Sequence, residues 1–173
     1  YTTLFRSPTE NELLQLSARN RARGFPGYIG SIDCMRWKWK NCPTAFQGQY
    51  RGKDSVPCVV MDGVADEDLW FHHVFFGIPG SNNDLNVLDS SPLFDAVAGG
   101  KWPPRFTYTV NGVQRNLPYL LADGIYYDWA MLVKSLSEPR TPAQKAFASA
   151  QEAVRKDVER AFGVLHGRFH ILS

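Results

Sequence analysis

Tyr28-Ile29-Gly30-Ser31-Ile32-Asp33-Cys34-Met35-Arg36-Trp37-Lys38-Trp39 is the stretch on which the fold turns. Ile29 and Ile32 belong to a core. From Met35 onward, Met35, Trp37 and Trp39 alternate with Arg36, Lys38 and Lys40, the period-two pattern of a strand with one buried face. Asp33 stands between the two halves, closing the apolar run. A carboxylate at the end of a buried strand costs desolvation energy unless something compensates it. The arrangement recurs in Tyr119-Leu120-Leu121-Ala122-Asp123-Gly124, where a second apolar run ends on Asp123. A third acid, Glu159, sits late in an amphipathic helix, in Asp157-Val158-Glu159-Arg160-Ala161-Phe162-Gly163. Three carboxylates brought together repel one another, and a divalent cation is the natural neutraliser. That is the chemistry of phosphodiester cutting and joining.

Outward from the first strand, residues 55–64 and 69–77 read as two more strands, separated by the turn Asp66-Glu67-Asp68, so that the three form an antiparallel meander. Upstream, residues 8–23 read as a helix with Ser7 as its cap and Leu13, Leu14, Leu16 and Ala18 on a partial apolar face. Gly24-Phe25-Pro26-Gly27 breaks it. Downstream, Pro79-Gly80-Ser81-Asn82-Asn83-Asp84 leads into a helix over residues 84–98, capped by Asn83 or Asp84. Asn111-Gly112 predicts a type I′ hairpin, and residues 119–122 a central strand. Residues 129–133 fit a strand or a helical turn equally. Thr141-Pro142 opens a last helix with Phe147, Ala150, Val154, Val158, Ala161, Phe162, Leu165 and Phe169 as its apolar stripe. Strands first, then a helix, a strand and a long helix predict a mixed α/β sheet flanked by helices. In that layout Asp33 and Asp123 lie side by side, and Glu159 reaches them from a covering helix.

A chain of 173 residues with 44% hydrophobic and 13% aromatic content is enough for one packed domain. The net charge of +2 says little about partners, but its distribution says more. Arg36, Lys38, Lys40, Arg51 and Lys53 follow the first aspartate, and Arg155, Lys156, Arg160, Arg168 and His170 surround the glutamate. Basic groups beside an acidic site suit a polyanionic substrate. Cys34, Cys42 and Cys58 are an odd number, which points away from a disulfide framework and toward a reducing compartment. No apolar run reaches membrane-spanning length. The chain opens at Tyr1 and closes at Ser173 directly after a helical pattern, which we read as a fragment truncated at its C-terminus.

Taken singly, each acid has an ordinary reading: strand-end aspartates form turns or caps, and Glu159 pairs with Arg155 one turn earlier. His72 and His73 face opposite sides of a strand and do not suit one metal. Cys34 and Cys42 lack a second pair of zinc ligands. Trp37, Trp39 and Trp102 fit core packing better than base stacking.

Four blocks in order carry more weight than any single residue: Gly30-Ser31-Ile32-Asp33-Cys34-Met35-Arg36-Trp37, Gly77-Ile78-Pro79-Gly80-Ser81-Asn82-Asn83-Asp84, Leu121-Ala122-Asp123-Gly124-Ile125-Tyr126 and Val158-Glu159-Arg160-Ala161-Phe162-Gly163-Val164-Leu165. Together they resemble the motif blocks of PIF/Harbinger-type DDE transposases and the harbinger transposase-derived nuclease family, over roughly residues 24–169. The resemblance implies a ribonuclease H-like catalytic domain over residues 24–173, with residues 1–23 as an N-terminal helix and linker. It implies Asp33, Asp123 and Glu159 as catalytic residues and, with Asp84, as ligands of a two-metal Mg²⁺ or Mn²⁺ site. Asp84 has a helix-capping role open to it as well. The interval of 36 residues from Asp123 to Glu159 is close to the spacing common in such enzymes. Where the family often has Gly-Thr-His after the first aspartate, this chain has Cys34-Met35-Arg36.

The expected activity is metal-dependent cutting and joining of DNA at transposon ends, in the nucleus, with Lys38, Arg155 and Arg160 on the phosphate backbone. The expected partners are transposon-end and target DNA, a Myb-like DNA-binding protein and further copies of the chain on DNA, with no membrane. The alternative from another class is a domesticated, non-catalytic module that binds DNA or protein. A third is an unrelated ribonuclease H-like nuclease acting on RNA.

Overall fold

The computed structural model describes residues 8–52 and 55–169. Helix α1 (Glu10–Ala22) opens on a capping box: Thr9 Oγ1 accepts from the Glu12 backbone N–H, and Glu12 accepts from the Thr9 N–H. The cap is therefore Thr9; Ser7 lies outside the described residues. Leu13 and Leu16 of α1 are buried with Ile29 and Ile32, so this helix packs into the main core. Strand β1 (Tyr28–Lys38) follows, then a short helix α2 (Thr44–Tyr50) for which the sequence offers no clear apolar face. Strands β2 (Cys58–Ala65) and β3 (Phe71–Pro79) complete the meander. Each of these two starts later than its residue pattern suggests, because Ser55 and Leu69 adopt φ of 57° and 64°, a turn conformation rather than a strand one.

The segment expected as one helix is two, α3 (Asp84–Ser90) and α4 (Pro92–Ala98). Pro92 forces Ser91 into an extended conformation, and the chain turns there. Asn83, not Asp84, caps α3, accepting from the Asn86 N–H at 2.8 Å. The hairpin of β4 (Tyr108–Val110) and β5 (Val113–Arg115) closes through Asn111 and Gly112, both at positive φ as a type I′ turn requires. Strand β6 (Tyr119–Ala122) is followed by β7 (Leu132–Lys134), which settles residues 129–133 in favour of a strand beginning slightly later. Helix α5 (Pro142–Arg168) starts at a second capping box, Thr141 with Gln144.

The main sheet runs β3-β2-β1-β6-β7. β1 pairs antiparallel with β2 and parallel with β6, and β6 pairs parallel with β7. This is a mixed five-stranded sheet flanked by helices, the ribonuclease H-like layout expected above. α1, α3 and α4 cover one face around Ile32, Val64 and Leu120. α5 covers the other through Val158, Ala161 and Phe162, packed on Trp37, Met61, Ala65 and Phe71. A Cβ at Gly63 would stand 3.1 Å from the Phe162 ring, so the missing side chain on β2 sets how closely α5 approaches. The apolar stripe read for α5 needs three changes. Ala148 is buried where Ala150 is exposed, Phe169 lies 55% exposed, and Gln151 and Asp157 are fully buried polar residues within the stripe.

Candidate functional site

β1 continues to Lys38, but β6 stops at Ala122. The last paired residues of the two strands are Ser31 and Leu121, so Asp33 and Asp123 occupy corresponding positions two residues further along. There the edge of β1 is left uncovered. In sheets of this kind the crevice beyond the carboxyl ends of parallel strands is where ligands sit. The partner of Asp33 on its other side is Gly63, which leaves the space above Asp33 to α5.

Asp33 is half-buried and faces α5. Its Oδ1 accepts from the Cys34 N–H at 2.9 Å, and its Oδ2 lies 3.3 Å from Arg155 Nη1. The other Arg155 nitrogen, Nη2, lies 3.1 Å from Glu159 Oε1, one turn along α5, so a single guanidinium bridges Asp33 and Glu159. Burial pushes the Asp33 carboxyl up to about 6; the Cys34 N–H and Arg155 oppose this, while the charges of Glu159 and Asp84 add to it. Asp84 thus belongs to the same electrostatic neighbourhood. Arg36 Nη1 approaches Asp84 Oδ1 to 2.9 Å. The angle does not make that contact a hydrogen bond, and Asp84 Oδ1 is a buried acceptor with none. Asp123 is exposed and accepts from the Gly124 N–H at 2.6 Å.

The fold therefore sets Asp33, Glu159 and Asp84 in one electrostatic neighbourhood, with Arg155 between the first two and Arg36 on the third, while Asp123 stands at the matching position of the adjacent strand without a contact to them. Among the described residues no three histidines, cysteines or acids stand close enough to hold a metal ion in common. The donor set nonetheless fits a hard divalent cation: the atoms are all carboxylate oxygens, Asp84 Oδ1 is buried and accepts no hydrogen bond although Arg36 lies beside it, and the Asp33 carboxyl is raised above its ordinary 3.8 by burial and, to a lesser degree, by neighbouring acids.

Of the basic residues expected on DNA, Lys38 is exposed at the end of β1, Arg155 is engaged by Asp33 and Glu159, and Arg160 pairs with Asp157. Trp37 and Trp102 are buried, and Trp39 packs edge-on to Tyr50 at 4.9 Å. His72 binds Asp66 at 2.8 Å and His73 binds Ser91 at 2.9 Å, on separate sides of β3.

Two supporting residues carry no signal in the sequence alone. Gln151 of α5, fully buried, donates through Nε2 to the carbonyls of Ala122 and Val133 at 3.1 Å each. It ties the ends of β6 and β7 to α5 and so positions the backbone that carries Asp123. Behind Asp33, the Tyr126 hydroxyl donates to Cys34 Sγ at 3.6 Å, while burial and the charge of Asp62 push the Cys34 thiol up, leaving it neutral. The alternation of β1 puts Cys34 in phase with Arg36 and Lys38, so nothing in it announces a half-buried thiol or Tyr126 as its neighbour.

Comparison with known proteins points the same way. A family model described as plant transposon protein matches residues 2–173. The protein named "Putative nuclease HARBI1" from Bos taurus is 27% identical over 158 residues, covering 87% of this chain and 39% of that protein. Its namesake from Rattus norvegicus is likewise 27% identical over 158 residues, with the same coverage of 87% and 39%. The chain thus spans about two fifths of the length of these relatives. No solved structure matches.

Proposed function

Since this chain belongs to the plant transposon protein family, of Harbinger transposase descent, and is a transposase-derived nuclease-like domain, we propose that it is the catalytic domain of a metal-dependent DNA endonuclease or transposase of the DDE type. Its reaction is the cutting and joining of phosphodiester bonds at transposon ends. The observation that supports this reading best is Asp33: a half-buried carboxyl on the central strand, raised to about 6 by burial and by two neighbouring acids, beside the strand end that carries Asp123.

Asp33, Asp123 and Glu159 are the catalytic residues in this reading and, with Asp84, the ligands of Mg²⁺ or Mn²⁺. When bound, the metal supplies an activated water or 3′ hydroxyl and offsets the charge of the pentacoordinate phosphorus. The chain's own residues do the rest. Above pH 6 Asp33 is mainly ionised and available as a ligand. Arg155 holds Asp33 and Glu159 in place on facing elements, and in this reading it also meets a phosphate. Lys38 and Arg160, both exposed, meet the backbone on either side. Such contacts are nonspecific and sensitive to salt. Recognition of particular terminal sequences, a Myb-like partner and assembly of several copies on DNA in the nucleus belong to the same proposal.

The test is strand cleavage with Mn²⁺. Asp33→Asn, Asp123→Asn and Glu159→Gln should each lower the rate about 100-fold or more, the scale for losing a group that stabilises charge at the reacting centre. Undiminished cleavage by any one variant removes that residue from the site. A second reading, a domesticated module without catalysis, draws on the arginines already seated between the carboxylates. Calorimetric titration with Mn²⁺ separates the two: a nuclease takes up the ion and loses it in the variants, whereas a non-catalytic module gives no heat of binding.

A further inference from the structure

Next to Asp84 and Arg36 the surface opens into a cleft of about 470 Å³, between the loop that precedes α3 and the loop that follows Asp123. We propose that this cleft receives an unpaired nucleobase of the DNA strand adjacent to the phosphate being cut. The proposal rests on the nuclease reading above and adds a substrate subsite to it.

The walls are of two kinds. Leu85 and Ile125 supply apolar surface, and Ile125 is 54% exposed, immediately after Asp123-Gly124. A side chain that leaves this much apolar area in water beside a candidate catalytic aspartate has a reason to be covered when substrate arrives. Asn82 and Asn83 supply amide groups. Asn82 uses its Nδ2 on the Pro79 carbonyl, and Asn83 uses its Oδ1 to cap α3. Asn82 Oδ1 and Asn83 Nδ2 make no hydrogen bond among the described residues, so one acceptor and one donor remain at the cleft. That pairing suits the polar edge of a base, while the apolar walls suit its faces.

Charge argues for the base rather than the phosphate. The cation of the cleft, Arg36, is already committed, with Nη1 at 2.9 Å from Asp84 and Nη2 donating to the Asn82 carbonyl at 2.8 Å. Its charge is matched by Asp84, so the described residues of the cleft offer no surplus positive charge to an anion. The neutral part of a nucleotide is the part that fits.

The cleft is also preformed. A Cβ on Gly80 would stand 2.1 Å from Cys58 Sγ, and one on Gly52 would stand 2.3 Å from the Gly80 carbonyl. The loop before α3 is therefore pressed onto β2, and its wall need not be ordered at the moment of binding.

Fluorescence titration, without divalent metal, of a short single-stranded oligodeoxynucleotide and of an abasic strand of equal length tests the idea. The two probes carry the same phosphates and differ in their bases. The base-bearing strand should bind at least about fivefold more tightly, the low end of what one stacked base contributes. Ile125→Ala should abolish most of that difference, and Ile125→Phe, which keeps an apolar face, should retain it. Melting curves of both variants check that the fold is intact. Equal affinity for the two strands overturns the proposal, as does a preference that survives in Ile125→Ala or is lost equally in Ile125→Phe. Because the readout needs neither metal nor cleavage, loss of the nuclease reading leaves this result interpretable. Cleavage by a protein without base preference removes the cleft alone.

Discussion

Helix α5 presents two acids two residues apart, and the fold treats them in opposite ways. Asp157 is fully buried. Arg23 embraces it with contacts of 2.8 and 3.2 Å, Arg160 pairs with it from the next turn, and the Tyr28 hydroxyl donates to it at 3.4 Å. Burial would lower the basicity of Arg23, but its hydrogen bond to Asp157 and the charge of that carboxylate overcome this and raise it. Glu159 lies 44% exposed and shares one guanidinium with Asp33, which stands near a further acid, Asp84. The first cluster has its negative charge matched from several sides. The second holds more acid than base. Saturated charge staples α1 and β1 to α5, and unsaturated charge is what a cation-binding site retains.

The largest way to break this contrast is Asp157→Ala. Removing one partner from a buried, hydrogen-bonded pair leaves the other uncompensated, and the expected loss is about 3 kcal/mol in urea denaturation. A loss below about 0.5 kcal/mol, the range of ordinary surface substitutions, would mean that the cluster is not structural.

Asp33→Asn should act in the other direction. The folded carboxyl titrates near 6, above its ordinary 3.8, so the protonated form is the one the fold favours. That contribution is present in full below pH 4 and is lost as pH rises through 6. Asparagine imitates the protonated acid. In metal-free protein at pH 7.5 the variant should gain on the order of 1–2 kcal/mol, after a discount for partial exposure. At pH 4 the gain should vanish. A variant less stable than the parent at both pH values refutes the view that burial and neighbouring acids disfavour the ionised Asp33 carboxyl.

Glu159→Gln should change metal-free stability least, by less than about 0.5 kcal/mol, since its pairing with Arg155 is largely exposed. Its signature lies elsewhere. Addition of Mn²⁺ should raise the melting temperature of the parent protein and of Asp157→Asn, and should raise that of Glu159→Gln much less, because an ion bound only to the folded state stabilises it. Equal shifts in all three would place the cation away from the second cluster.

Much of the framework is legible from local patterns. Strand β1, the meander, the Asn111-Gly112 hairpin and the start of α5 at Thr141-Pro142 follow from alternation, turn chemistry and caps, which act over a few residues. The errors have local causes too: Pro92 divides a helix, and positive φ at Ser55 and Leu69 delays two strands. Of the site, the identity of the acids is legible and their company is not. Arg155 reads as a cation for DNA and, in the ordinary reading, as the partner of Glu159 one turn away; that pairing is present, but its reach to Asp33 is not legible. Gln151 and Asp157 have no place in the apolar stripe read from the sequence, yet both are fully buried. Such partners are separated from their targets by up to 134 residues, as in Arg23 with Asp157, and no periodicity reports on them.

The order of apolar and polar residues alone determined that this chain forms strands with an acid within or just after an apolar run and a long helix carrying another, because hydrophobic period, proline and capping are properties of neighbours along the chain. Only the tertiary structure decided which acids are matched by cations from several sides and which share a single arginine. That depends on the register of β1 against β6, the close approach of α5 over Gly63 and the reach of a few arginines. Electrostatic balance is set by distance in space and by the dielectric around each group, and neither exists until the chain has folded.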